Sequence, residues 1–147
     1  MAAVIEVALS YILKAAKGRD AKTFVRGKAF AALEHPTISI TSPDCGETNA
    51  TLTKDHTHDG SGRFPILEWS APDSIAPRVR EWLLVVEDPD APLPKPVLHG
   101  LYAGITKTRV EPVDFEIHDK ETAMLTGGFN YGKNYRSVVY IPPRPLM

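Results

Sequence analysis

The spacing of hydrophobic positions changes once along the chain. Between residues 2 and 17 they recur at helical intervals, with Val4, Ile5, Ala8, Leu9, Ile12 and Leu13 on one stripe, which predicts an amphipathic helix. Lys14 and Lys17 fall in its last turn and Gly18 follows, as helix C-termini prefer. Residues 20–34 carry a weaker pattern and read as a second helical or irregular segment ended by His35-Pro36. From Thr37 the period becomes two. Thr37 to Ser42 alternates as a strand does and stops at the turn Pro43-Asp44-Cys45-Gly46. Thr48 to Lys54 reads as a strand, 55–62 as a polar loop, Pro65 to Ser70 as a third short strand, and 71–80 as a loop. Thr106 to Thr126 is polar with weak β signals, Gly127 to Gly132 predicts a tight turn, and Ser137 to Ile141 a last strand before Pro142-Pro143. A helix followed by many short strands predicts a mainly β protein, an antiparallel β-sandwich with a peripheral N-terminal helix, in a single domain spanning residues 1–147.

The stretch Trp82 to Gly100 stands out. Trp82 to Val86 is an apolar run with the length of a buried strand, followed by Glu87, Asp88 and Asp90 with Pro89 between the two aspartates. After the proline-spaced loop Ala91 to Pro96, a second strand runs from Val97 to Ile105 with His99 inside it. Pro89 restricts Asp88 to extended conformations and stiffens the loop. A short connection brings carboxylates at the end of one strand to an imidazole in the next, and so builds a small polar site into an apolar sheet. The bland alternatives are a solvated acidic turn and a core histidine.

Composition narrows the picture. The chain has 147 residues, 43% hydrophobic and 24% charged, ordinary for one soluble domain. Its net charge of −1 argues against nucleic acid and against an anionic membrane surface as partners. Six basic residues against three acidic ones in residues 1–35 read as a solvated, mildly basic face. The apolar start lacks the basic opening of a signal peptide, is interrupted by Glu6 and is too short to span a bilayer. A mitochondrial transit peptide is a minor alternative. The lone Cys45 allows no intrachain disulfide, which fits a reducing compartment. The expectation is a cytoplasmic protein with no stable membrane insertion. Asn49-Ala50-Thr51 matches a glycosylation acceptor, a match with little meaning without a secretory signal.

Other constellations are weaker. His56 and His58 with Asp55 and Asp59 form a metal-ligand-like group, but no third or fourth ligand stands at a fixed offset, and solvated histidines are the simpler reading. No Gly-x-Ser-x-Gly elbow, dinucleotide fingerprint or P-loop occurs. No cofactor and no metal are therefore expected.

Pro65-x-x-x-Trp69-Ser70, Asp88-Pro89-Asp90-Ala91-Pro92, His99-Gly100, Gly128-x-Asn130-x-x-Gly132 and Pro142-Pro143 together resemble the phosphatidylethanolamine-binding protein family, over nearly the whole chain. The N-terminal segment, Ser42 to Gly46 and Tyr131 to Arg136 are similar to its fungal members. The resemblance implies an antiparallel β-sandwich with a small pocket for phosphate-like head groups and other anions. It places Asp88 and His99 as the pocket's acid and base, and Asp90, Ala91 and Pro92 as its rigid wall. Leu98 and Gly100, where some members carry a histidine or an aromatic, leave that wall plainer. In the family a His-Arg-Tyr segment, further strands and a C-terminal helix follow the double proline. Their absence before Met147 leads us to expect a truncated member, its fold completed by a C-terminal fragment or a second copy.

Three functional classes follow from the resemblance. One is a lipid-head-group binder or a regulator of a protease or kinase. Another is an enzyme of fungal secondary metabolism acting on a small acidic metabolite, with Asp88 and His99 as acid and base. The last is a protein-interaction module that uses its acidic rim.

Overall fold

The computed structural model describes residues 19–32, 35–91 and 93–144. The predicted helix over 2–17 lies outside these residues. The weak pattern over 20–34 resolves into short 3-10 turns, Arg19–Lys22, Phe24–Arg26 and Lys28–Phe30, with residues 20–32 exposed or half-buried.

Eight strands follow among the described residues: β1 Ile40–Thr41, β2 Leu67–Trp69, β3 Trp82–Asp88, β4 Val97–Ile105, β5 Arg109–Val110, β6 Ile117–Asp119, β7 Met124–Leu125 and β8 Asn130–Tyr131. They form two antiparallel sheets, one in the order β1-β2-β5 and the other β3-β4-β8-β7-β6. The chain is thus mainly β, as its period-two patterning predicts. Side chains from both sheets meet in one core, including Val110 and Leu67 from the first and Leu84, Tyr102, Ile105 and Leu125 from the second. Trp69 and Trp82 bridge the sheets edge to face at 6.0 Å.

The centre of that core is aromatic. Phe64 stacks on Phe115 at 3.9 Å, and the Tyr102 ring stands edge-on to Phe64 and to Phe115, at 5.8 and 4.7 Å. Phe129 meets Phe115 at 5.5 Å and Tyr140 meets Phe64 at 4.8 Å. Such pairs contribute roughly 0.5–1.5 kcal/mol each beyond the burial of their area. Burial pushes the Tyr140 hydroxyl up to about 12. The buried Tyr102 hydroxyl, raised further by the same cause, donates to the Val139 carbonyl at 2.9 Å.

β3 and β4 form the longest ladder, with seven residue pairs from Trp82↔Ile105 to Asp88↔Val97. The register slips twice. Between Trp82 and Leu83 it skips Gly104, and between Val86 and Glu87 it skips His99. Gly104 has φ +80°, the left-handed conformation that such a bulge asks of glycine. The second bulge singles out His99.

The predicted strands at 37–42 and 65–70 shorten to Ile40–Thr41 and Leu67–Trp69, and three further elements differ from the sequence expectation. Glu87 and Asp88 belong to β3, where they pair with Leu98 and Val97, so the acidic residues begin inside the strand. Thr48 to Lys54 forms no strand; it is exposed throughout and leads into a 3-10 turn at Lys54–His56. β-prone residues without a ladder partner or a buried face have nothing to hold them in a sheet. Ser137 to Ile141 is likewise irregular. It runs beside β4 without a regular ladder, tied there by the Ile141 backbone to His99, the Tyr102 hydroxyl to Val139 and the Asn134 side chain to His99. The tight turn at Gly127-Gly128 is present, joining β7 to β8, with Gly128 at φ +81° and its N–H donating to Leu125.

Phe115→Ala removes the ring shared by three aromatic contacts and is expected to destabilise the fold by roughly 3–5 kcal/mol, read as a lower urea midpoint. Gly100→Ala places a Cβ against the Tyr102 ring, which the hydroxyl bond to Val139 holds in place. A loss of about 1–3 kcal/mol is expected from that overpacking, and Tyr102→Phe in the same background should recover part of it.

Candidate functional site

The β3–β4 hairpin brings Asp88 and His99 together. Asp88 ends β3 and His99 is the extra residue of the bulge, a place where sheets re-aim a side chain. The imidazole is buried. Its Nδ1 lies 2.6 Å from the Ile141 carbonyl oxygen, a pure acceptor, so Nδ1 carries hydrogen and donates. In the neutral ring, Nε2 therefore presents a lone pair. It lies 3.9 Å from Asp88 Oδ2 and is fully buried with no hydrogen-bond partner.

Asp88 is held from the other side. Its Oδ1 accepts the Asp90 main-chain N–H at 2.9 Å. The His99 side chain first, and then the amides of Asp90 and Ala91, hold its carboxyl below the usual aspartate range against the upward push of burial. That favours the carboxylate form of Asp88. The side chain of Asp90 is exposed and Ala91 is buried. Pro92 lies outside the described residues. Leu93 donates its N–H to the Ala91 carbonyl at 2.7 Å, which tightens the loop after the aspartates.

Two residues with no obvious signal in the sequence position His99. Ile141 donates its N–H to the His99 carbonyl at 3.0 Å while accepting from the ring. Asn134, buried, gives its side-chain amide to the carbonyls of His99 and Val138, at 3.1 and 2.9 Å, and accepts the main-chain N–H groups of Arg136 and Val138. Gly132 just before it, where a Cβ would press on Leu101, is the one hint that the backbone here runs close to β4.

The basic N-terminal stretch also reaches the site's loop. Lys22 Nζ donates to the Pro94 carbonyl at 3.0 Å, and the Phe24 N–H donates to Glu87 Oε2 at 2.7 Å. A groove of about 770 Å³ lies apart from the Asp88–His99 pair, with Phe64, Phe115, Val138, Tyr140 and Pro142 among its walls and Arg63 and Lys120 as its cations. It shares with the site only the segment around Ile141. We place the candidate chemistry at the pair, because His99 Nε2 is a buried side-chain atom without a partner and none of the buried side-chain atoms without a partner among the described residues belongs to the groove's lining.

The histidine-rich loop separates. His56 is buried and turns toward Asp44, whereas His58 is exposed and faces only Asp59, at 3.4 Å. Asp55 is exposed.

The family model for phosphatidylethanolamine-binding proteins matches residues 41–146. This chain belongs to that family. It is 43% identical over 146 residues to a fungal protein (Fungal sp., strain ATCC 74256) named phomoidride biosynthesis cluster protein B. The match covers 97% of this chain and 69% of that relative. A protein of the same name from Talaromyces stipitatus is 39% identical over 146 residues, which cover 96% of this chain and 59% of that one. The chain thus spans roughly two thirds of the length of these relatives. No solved structure matches it closely enough to report. No helix among the described residues is long and apolar enough to cross a membrane.

The depressed Asp88 carboxyl sets the sign of a pH effect. A carboxylate whose folded-state value is lowered stabilises the fold above the ordinary aspartate range of about 3.9. That contribution is lost as pH falls through the lower folded-state value. Asp88→Asn should therefore lower the melting temperature at pH 7, and the gap from the parent should close as pH falls below about 4. A gap of constant size from pH 7 to the acid limit would contradict this assignment of charge.

Proposed function

We propose that this family member is a binding protein whose site at Asp88 and His99 takes a small anion, a phosphate-like head group. One observation carries the reading. A buried imidazole presents an unpartnered Nε2 beside a carboxylate, while its other nitrogen is committed to the backbone. A buried polar atom without a partner costs about 1–3 kcal/mol, and a ligand that completes it recovers that cost.

Charge decides when an anion is accepted. With His99 neutral, the approaching phosphate meets the Asp88 carboxylate and is repelled. With a proton on Nε2, the ring neutralises Asp88 and can donate to a phosphate oxygen. Asp90 and Ala91 form the wall of the site, with the Asp90 amide already turned toward Asp88. The same site, with the acidic rim around it, suits regulation of a protease or kinase by a cytoplasmic protein.

Calorimetric titration with inorganic phosphate and with phosphoethanolamine tests this. Affinity is expected to rise as pH falls from about 8 to about 6, the range in which histidine gains charge, and to vanish in His99→Ala. Affinities equal at both pH values would sink the proposal.

The names of the two relatives favour a second reading, an enzyme of fungal secondary metabolism. Here Nε2 of His99 takes a proton from a small acidic metabolite and Asp88 stabilises the resulting imidazolium. This reading expects turnover that disappears in both His99→Ala and Asp88→Asn. Binding without turnover across a panel of small di- and tricarboxylic acids would leave the first reading standing.

A further inference from the structure

In the sequence His56 is a poor metal-ligand candidate because no third or fourth ligand stands at a fixed offset from it and His58. The fold supplies two. The turn after β1 carries Asp44 and Cys45 onto the same spot, and the Asp44 carboxylate, the Cys45 sulfur and a His56 ring nitrogen all lie within 4.8 Å of one another. We propose that Asp44, Cys45 and His56 form a binding site for a divalent transition-metal ion of the zinc class.

His56 is prepared as a ligand. It is 1% exposed, and its Nδ1 lies 2.9 Å from the Arg63 carbonyl oxygen. That carbonyl accepts from Nδ1–H, so the lone pair of the neutral ring is on Nε2. A ring nitrogen committed to a backbone carbonyl is how metal-binding histidines are commonly oriented. Nε2 points at Asp44 Oδ2, 3.6 Å away. Ligands about 2.0–2.2 Å from a tetrahedral ion stand roughly 3.4 Å apart, so this pair is already near the required spacing.

The two oxygens of Asp44 divide their tasks. Oδ1 accepts the Ser42 hydroxyl at 2.7 Å and the Ile66 N–H at 3.2 Å, which fixes the carboxylate against the sheet. Oδ2 is buried and makes no well-aligned hydrogen bond. It faces the histidine on one side and the Arg63 guanidinium on the other. Cys45 Sγ is 3.8 Å from Oδ1, on a half-buried residue at a turn, so a change of side-chain rotamer brings it to a shared ion.

Arg63 is the competitor. Its guanidinium nitrogen lies 3.0 Å from Asp44 Oδ2 and supplies the counter-charge when no ion is bound. The Arg63 side chain is 39% exposed, so it can turn to solvent and yield its place to an ion. A carboxylate, an imidazole and a thiolate together match the ligand preferences of zinc and cobalt, and do not match the all-oxygen sites of calcium or magnesium. On binding, the thiol loses its proton to solvent as the sulfur–metal bond forms.

Cobalt(II) added to the reduced 147-residue chain reads the site directly. The expected result is saturation at one equivalent, with a thiolate-to-cobalt charge-transfer band and the intense visible bands of four-coordinate cobalt. Zinc should displace the cobalt and raise the melting temperature, with release of a proton on binding. Cys45→Ser preserves shape and should abolish the charge-transfer band. It should also weaken zinc by at least the ~10–100-fold that loss of an outer-shell partner costs. His58→Gln, at an exposed residue outside the set, should change neither. Absence of the band in the parent chain overturns the proposal without reference to how any variant folds. A band that survives Cys45→Ser, or one lost in His58→Gln, overturns it as well.

Discussion

The pairing of β3 with β4 is the constraint on which the rest of the molecule depends. Its seven residue pairs make it the longest ladder of the fold. It places Leu84, Tyr102 and Ile105 in the core and sets the edge on which β8 and then β7 and β6 assemble. The two interruptions are as consequential as the pairs. Gly104 absorbs one extra residue with a left-handed backbone. His99 is the other, and the local twist that follows a bulge gives its ring an environment that regular alternation would not.

That environment is made of backbone more than of side chains. The Ile141 carbonyl fixes the ring's tautomer, and Asn134 and the Ile141 amide satisfy the His99 carbonyl. What remains is one buried nitrogen facing a carboxylate whose side chain is 38% exposed. The carboxylate stays charged because the histidine and two loop amides favour that form. A pair of this kind responds to an added proton or an added anion, and its response is local, since Tyr102 and the aromatic cluster behind it are closely packed.

A second polar cluster forms by the same means around Asp44, in the turn after β1. Asp44 receives the Ser42 hydroxyl, the Ile66 amide, the Arg63 guanidinium and the His56 ring. It pins the first turn of the chain's β region to the strand that follows. In both clusters a histidine is oriented by a main-chain carbonyl and turned toward an aspartate. They differ in the third partner, which is a loop amide beside Asp88 and a thiol beside Asp44.

Much of this was legible in the residues themselves. Period-two patterning marks the mainly β class. The runs Trp82 to Val86 and Val97 to Ile105 mark the central hairpin, and Asp88-Pro89-Asp90-Ala91-Pro92 with His99 marks both the family and the candidate site. These signals are local, because a strand's alternation and a proline's stiffness are properties of neighbouring residues. Other features depended on distant partners. Thr48 to Lys54 has the composition of a strand, but no second strand pairs with it. The bulge at His99 exists only because β3 and β4 run out of register. Ile141 and Asn134 act on His99 across 42 and 35 residues, and His56 meets Asp44 across a turn and a loop. Sequence spacing carries no record of such contacts, since they are set by which strands pair and which side chains fill the space between the sheets.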